Sequence, residues 1–316
     1  MSSLATSRPI VVAIVATGGY DPDPAGVARA DALLLKQGCE VRHFDTPNQR
    51  HLRFADTDAA RLAGLHAAAR DPEVDIVLPL RGGYGASRLL QAIDFELLAA
   101  SGKLFVGHSD VTVLNMGLLA HGASSFAGPT TSGDFASADV SDFTMAHFWG
   151  CMRGPEHAIS FAAAGNPVIS AAGTLWGGNL AMITHLAGTP WMPVIDGGIL
   201  FVEDINEQPF RVERMLLQLL HAGVLERQAA LVLGAFTGVR PTEYDNGYDF
   251  AAMLAFIRSR VTVPVVTGLP YGHVPDKATL AIGSDAHLVS TTTGVSLTMR
   301  GYPHLGKREV PHVALG

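Results

Sequence analysis

The first half of the chain alternates short apolar runs with stretches of helical periodicity. Ile10–Ala16 is a continuous apolar run of strand length. Ala25–Gln37 follows with helical spacing and stops at Gly38. Val41–Phe44 predicts a short strand, and the alanine-rich, leucine-spaced Asp56–Ala69 a second helix. Val74–Leu80 is apolar at almost every position, as in a parallel strand covered on both faces. Ser87–Leu98 predicts a helix, Lys103–Gly107 a strand and Val111–Leu119 a helix. Such βαβ alternation predicts a doubly wound parallel sheet. Ligands on these sheets sit at the carboxyl ends of the strands.

Around Gly154 to Gly165 the pattern loses its period and becomes rich in Gly, Pro and Ala. We place a boundary there: residues 1–153 form a first domain, 154–170 a linker and 171–316 a second domain. The second part predicts a helix over Leu180–Leu186 and a strand over Gly198–Val202 that ends in Glu203 and Asp204. Pro209–Ala222 is strongly helical, Ala229–Phe236 and Val263–Gly268 are strands, and a helix near Phe250–Ser259 lies between them. Ala278–Ile282, Leu288–Thr292 and Val295–Met299 predict short closing strands.

Composition narrows the partners. The 316 residues are 48% hydrophobic and 16% charged, which is ample for a core. Net charge is −7 and no Lys/Arg cluster occurs, which argues against nucleic acid and anionic membranes. Cys39 and Cys151 fit neither a metal motif nor a disulfide framework. No paired-histidine metal motif is present, and the segment after the first strand is not a dinucleotide fingerprint, so no cofactor is expected. The polar lead-in Met1–Pro9 lacks a signal peptide's apolar core, and no apolar run reaches membrane-spanning length, so the expected location is cytoplasmic.

Candidate chemistry concentrates just after strands. Gly107-His108-Ser109-Asp110 joins a strand to a helix. A serine on such a turn is either a helix N-cap or a nucleophile pushed clear of the sheet. Arg81-Gly82-Gly83-Tyr84-Gly85 also follows a strand. It is either a tight connection or an oxyanion-hole wall, whose N–H would pair with that of Asp110. Glu203 and Asp204 close an apolar strand, as a functional carboxylate or as a cap for the helix near Pro209. Among thirteen histidines, His273 stands out in the glycine-bounded loop Gly268–His273. Trp176 lies among glycines and Asn179, as a loop at a pocket mouth would.

Taken together, Leu80–Gly85, Gly107–Asp110, Gly173–Leu180, Glu203–Glu207 and Gly272-His273 resemble the LD-carboxypeptidases, serine peptidases that remove the terminal D-alanine of murein tetrapeptides. The resemblance runs from Ile10 to about Pro303. It implies an N-terminal domain like the class I glutamine amidotransferases and a smaller C-terminal α/β domain. It implies a triad of Ser109, Glu203 and His273, an oxyanion hole from the amides of Gly83 and Asp110, no cofactor and a homodimer. Arg81, Trp176 and Asn179 become candidate substrate contacts. Two alternatives remain: a microcin-immunity-like hydrolase of aminoacyl- or peptidyl-nucleotide conjugates, and a non-catalytic muropeptide sensor.

Overall fold

A computed structural model describes residues 8–306, so most of the polar lead-in and the extreme C-terminus lie outside the described residues. The first half builds a parallel sheet from β1 (Val11–Val15), β2 (Glu40–His43), β3 (Ile76–Pro79) and β4 (Leu104–Phe105), in the order β2-β1-β3-β4. All five residues of β1 are buried. Leaving water contributes about 1.5–3 kcal/mol for each of its three valines and its isoleucine. Helices α1 (Gly26–Lys36) and α2 (Asp58–Arg70) supply the crossovers. Thr57 caps α2 by accepting from the Ala60 N–H.

The strand order reverses between β1 and β3. That reversal opens a crevice beyond their carboxyl ends. The loops after the two strands meet there, the Gly19 N–H donating to the Gly82 carbonyl at 3.0 Å. The helix expected over Ser87–Leu98 is instead one helical turn, Ala86–Arg88, and a separate α3 (Phe95–Ala100). Asp94 breaks it, because its carboxylate caps α3 through the Leu97 N–H.

After β4, residues Ser109–Val111 make one turn that leads into α4 (Thr112–Ala120). β5 (Ser125–Ala127) and α5 (Asp142–Arg153) follow. Neither was read from the sequence, although Ser141 carries the capping signal of α5.

The segment expected as a linker contains a strand. β6 (Glu156–Ala162) pairs with β13 (Gly294–Arg300) at the end of a seven-stranded sheet. The others are β7 (Ile169–Asn179), β8 (Ile199–Ile205), β9 (Ala230–Thr237), β10 (Val265–Thr267) and β12 (Asp285–Ser290), in the order β10-β9-β8-β7-β12-β13-β6. β7 to β10 run parallel, with α6 (Leu180–Leu186), α7 (Pro209–His221) and α8 (Phe250–Arg260) as connections. β12, β13 and β6 pair antiparallel. The second sheet is therefore wider than the first. Its closing strands reach six and seven residues.

The halves are tied together. β11 (Leu280–Ile282) pairs with β5 from the first half. The Asn179 N–H donates to Thr112 Oγ1 at 3.0 Å, joining the end of β7 to the start of α4. A side chain at Gly178 would strike Thr112, so only glycine permits that approach.

Candidate active site

Ser109 sits at the turn between β4 and α4 with φ +63°, a left-handed conformation that a serine adopts at a cost of roughly 1–3 kcal/mol. Its neighbours hold it there. The His108 ring bonds through Nδ1 to the Gly128 carbonyl at 2.9 Å. Asp110 Oδ2 accepts from the Ala86 N–H at 2.8 Å, and burial raises its carboxyl above the usual range. Burial and the nearby Lys277 ammonium push His108 down to about 4, so it is neutral at pH 7. It braces the turn and is not poised as a base.

The loop after β3 closes against this turn. A methyl built on Gly82 would lie 2.8 Å from Ser109 Cβ, 2.9 Å from its Oγ and 3.2 Å from the Asp110 nitrogen. Gly82 is thus the glycine pressed against the serine, a role not read from the sequence though it stands in the motif. Gly83 is left-handed at φ +73° and borders the same cavity. The Arg81 guanidinium donates to the Tyr20 carbonyl at 3.1 Å and lines the cavity beside Ser109.

Glu203 is completely buried near the end of β8, where the pairing with β9 shifts register between Val202 and Asp204. A bulge there re-aims the side chain. Its Oε2 accepts from His273 Nδ1 at 2.8 Å, and its Oε1 from Asn179 Nδ2 at 3.2 Å. Gly272 makes room for this pair, since a side chain there would meet Glu203 Oε2 at 3.0 Å. His273 therefore bonds by one ring nitrogen and is partly exposed. Its ring lies edge-on to His108, with centroids 5.2 Å apart.

Ser109 and His273 line one cavity of about 290 Å³, with Arg81, Gly82 and Gly83 on its walls. It lies over the crevice at the strand reversal. A serine, an imidazole and its buried carboxylate thus meet at one place, from three elements spread over residues 109–273. These groups are what acyl transfer through a serine uses.

Three expectations need correction. Trp176 is not at a pocket mouth: it is fully buried within β7 and donates to Gln228 Oε1 at 2.8 Å. Gly177 beside it serves close packing of β7 on β8, where a side chain would strike the Phe201 backbone. Asn179 is buried too, and its amide braces Glu203 and Asp204, at 3.2 Å and 3.0 Å, in place of a substrate. Asp204 is a cap, but of α6: its Oδ2 accepts from the Ala181 N–H at 2.9 Å. Among the described residues no group of three or more His, Cys, Asp or Glu could hold a metal ion, and no helix is long and apolar enough to cross a membrane.

Residues 12–128 match the LD-carboxypeptidase N-terminal domain and residues 172–288 the LD-carboxypeptidase C-terminal domain. A probable murein peptide carboxypeptidase of Bacillus subtilis is 31% identical over 271 residues, covering 84% of each chain. The murein tetrapeptide carboxypeptidase of Pseudomonas aeruginosa is 31% identical over 79% of this chain and 86% of its own. The crystal structure of muramoyltetrapeptide carboxypeptidase from Oxalobacter formigenes superposes with a TM-score of 0.89 at 53% identity, covering 93% of this chain and 99% of that one. The microcin self-immunity protein MccF shares the fold at a TM-score of 0.85, with 19% identity over 94% of this chain and 98% of its own. On its sequence and on its fold alike, the chain belongs to the LD-carboxypeptidase family.

Proposed function

We propose that this protein is a serine LD-carboxypeptidase that hydrolyses the bond between meso-diaminopimelate and the terminal D-alanine of murein tetrapeptides. The observation that carries the reading is the buried Glu203–His273 pair, 2.8 Å long, on the cavity that Ser109 borders. The names of its relatives supply the substrate class.

With Nδ1–H donated to Glu203, the His273 Nε2 lone pair serves as general base for Ser109. Ser109 Oγ attacks the carbonyl of the L-configured centre of diaminopimelate. The amides of Gly83 and Asp110 receive the oxyanion, each donor worth roughly 3–4 kcal/mol of barrier. His273 then protonates the departing D-alanine, and water activated by the same imidazole hydrolyses the acyl-enzyme. Arg81 is the arginine that lines this cavity with Ser109, and it takes the carboxylate of the D-alanine.

The test is D-alanine release from L-Ala-γ-D-Glu-meso-diaminopimelate-D-Ala by wild type and by Ser109→Ala. Release by the first and not by the second is the expected result. No release by folded wild type refutes the assignment. Three coarser features complete the proposal. The first sheet has the class I glutamine amidotransferase arrangement, the chain divides into domains near residue 153, and the protein acts as a cytoplasmic homodimer. Superposition, limited proteolysis, cell fractionation and sedimentation test these.

A further inference from the structure

His273 also borders a second cavity, of about 340 Å³. Its lining includes Asp134, Asp139, Ser141, Thr144 and Lys277, and it shares His108, Gly133 and His273 with the cavity of Ser109. Lys277 comes from the loop after His273, and Asp134 from the helical turn Thr131–Phe135 in the first half of the chain. The lobe therefore lies where the two halves meet.

Lys277 and Asp134 form an ion pair with each side chain only 5% exposed. Burying two charges is expensive, and an apolar pair of equal volume is often as stable. Stability alone therefore gives little reason for the pair. Its hydrogen bonding is unequal. Both oxygens of Asp134 are engaged, Oδ1 by Lys277 and Oδ2 by the Thr130 N–H at 2.8 Å. An ammonium has three donors. Among the described residues, Asp134 is the one side chain that Lys277 Nζ bonds, which leaves donors unused on a lysine that lines the lobe. At the rim, Asp139 is exposed and its carboxylate carries no ion pair among the described residues. One cation with spare donors and one free carboxylate thus face the same space, beside the general base.

We propose that this lobe is a zwitterion subsite, in which Lys277 binds the carboxylate and Asp139 the ammonium of a free α-amino-acid group on the substrate's side chain. The inference rests on the function proposed above, where that group is the D-configured centre of meso-diaminopimelate. That centre hangs on a flexible methylene chain from the carbon whose carbonyl Ser109 attacks. The side chain passes His273 and seats its charged end in the second lobe, while the D-alanine lies toward Arg81. The lobe therefore selects diaminopimelate over lysine at the same position, because lysine brings the ammonium without the carboxylate.

The experiment compares D-alanine release from two tetrapeptides that differ only in diaminopimelate or L-lysine at the third position. A charge-assisted hydrogen bond to a buried group is worth about 1.5–3 kcal/mol, so wild type favours the diaminopimelate peptide by roughly 10–100-fold in kcat/KM. In Lys277→Met that preference collapses, chiefly through KM on the diaminopimelate peptide. Because Lys277→Met strands the Asp134 charge, the double variant Lys277→Met/Asp134→Asn removes both charges of the pair, leaves the net charge of the lobe unchanged and shows the same collapse. Asp139→Asn, on the exposed rim, raises KM for both peptides. A wild type that releases D-alanine from both peptides equally well overturns the subsite, as does a preference retained in the double variant. Release from neither by folded wild type overturns the proposed function, and the subsite with it.

Discussion

Gly82→Ala isolates positioning of the serine from its chemistry, because no reacting group is removed. The new Cβ would sit 2.8 Å from Ser109 Cβ. Carbon atoms pack at about 3.5–4.0 Å, so one must retreat by roughly 0.7 Å or more. Rotating the serine side chain does not help, since its Cβ is fixed to the backbone. The loop cannot easily retreat either. Its Gly82 carbonyl accepts from the Gly19 N–H at 3.0 Å, and Gly18 packs so close that a methyl there would lie 2.4 Å from the same oxygen. The displacement therefore falls on Ser109, the nucleophile in the proposed mechanism. A misplacement near 1 Å lowers catalysis by roughly 100-fold. Global stability changes less, because the clash is confined to two loops and no buried polar group loses its partner. The assay is kcat for D-alanine release beside a thermal melt of the same preparation. A kcat within about threefold of wild type in a folded variant refutes the positioning role of Gly82.

Four further outcomes are expected. Ser109→Gly abolishes D-alanine release as Ser109→Ala does, yet relieves the left-handed strain at φ +63° and raises stability by about 1 kcal/mol, read by denaturant titration. Glu203→Gln keeps the volume of the side chain but removes the charge facing His273, and lowers kcat by roughly 10³–10⁴-fold without a comparable change in KM. Asn179→Ala removes the amide shared by two buried carboxylates and costs about 1–3 kcal/mol, seen as a lower denaturant midpoint together with reduced kcat. Acid destabilises the fold through His108 and His157, both depressed from 6.5 to about 4 mainly by burial. Between those values the unfolded chain binds more protons. Stability therefore falls as pH drops through that window, by roughly 3 kcal/mol for His108, and His108→Gln flattens the decline seen in equilibrium unfolding.

The strands legible in the sequence are those buried on both faces. β1, β3 and β8 read as continuous apolar runs because helices or packed loops cover each side of their sheets. β6 is not legible in the sequence for the opposite reason. It lies at a sheet edge, and among its seven residues Ile159 alone is fully buried, so its alternation of half-buried and exposed positions leaves only a faint apolar signal. The expected helix over Ser87–Leu98 failed because a capping aspartate, Asp94, outweighed the periodicity around it.

The candidate site divides in the same way. The order of elements, the strand-to-helix turn at Ser109 and the glycine-rich loop at Arg81 follow from local sequence, because turn geometry and burial leave a mark on neighbouring residues. Spacing along the chain carries no record of which distant side chains meet. The bulge that turns Glu203 toward His273, the amide of Asn179 on its other oxygen, and the burial of Trp176 all depend on strands pairing across the second sheet. Lys277 joins Asp134 because the two halves pack together, and their positions 143 residues apart give no hint of it. Local sequence determined the elements, since propensity and burial act within a few residues. Tertiary packing decided the site, since hydrogen bonds and charge pairs act through space.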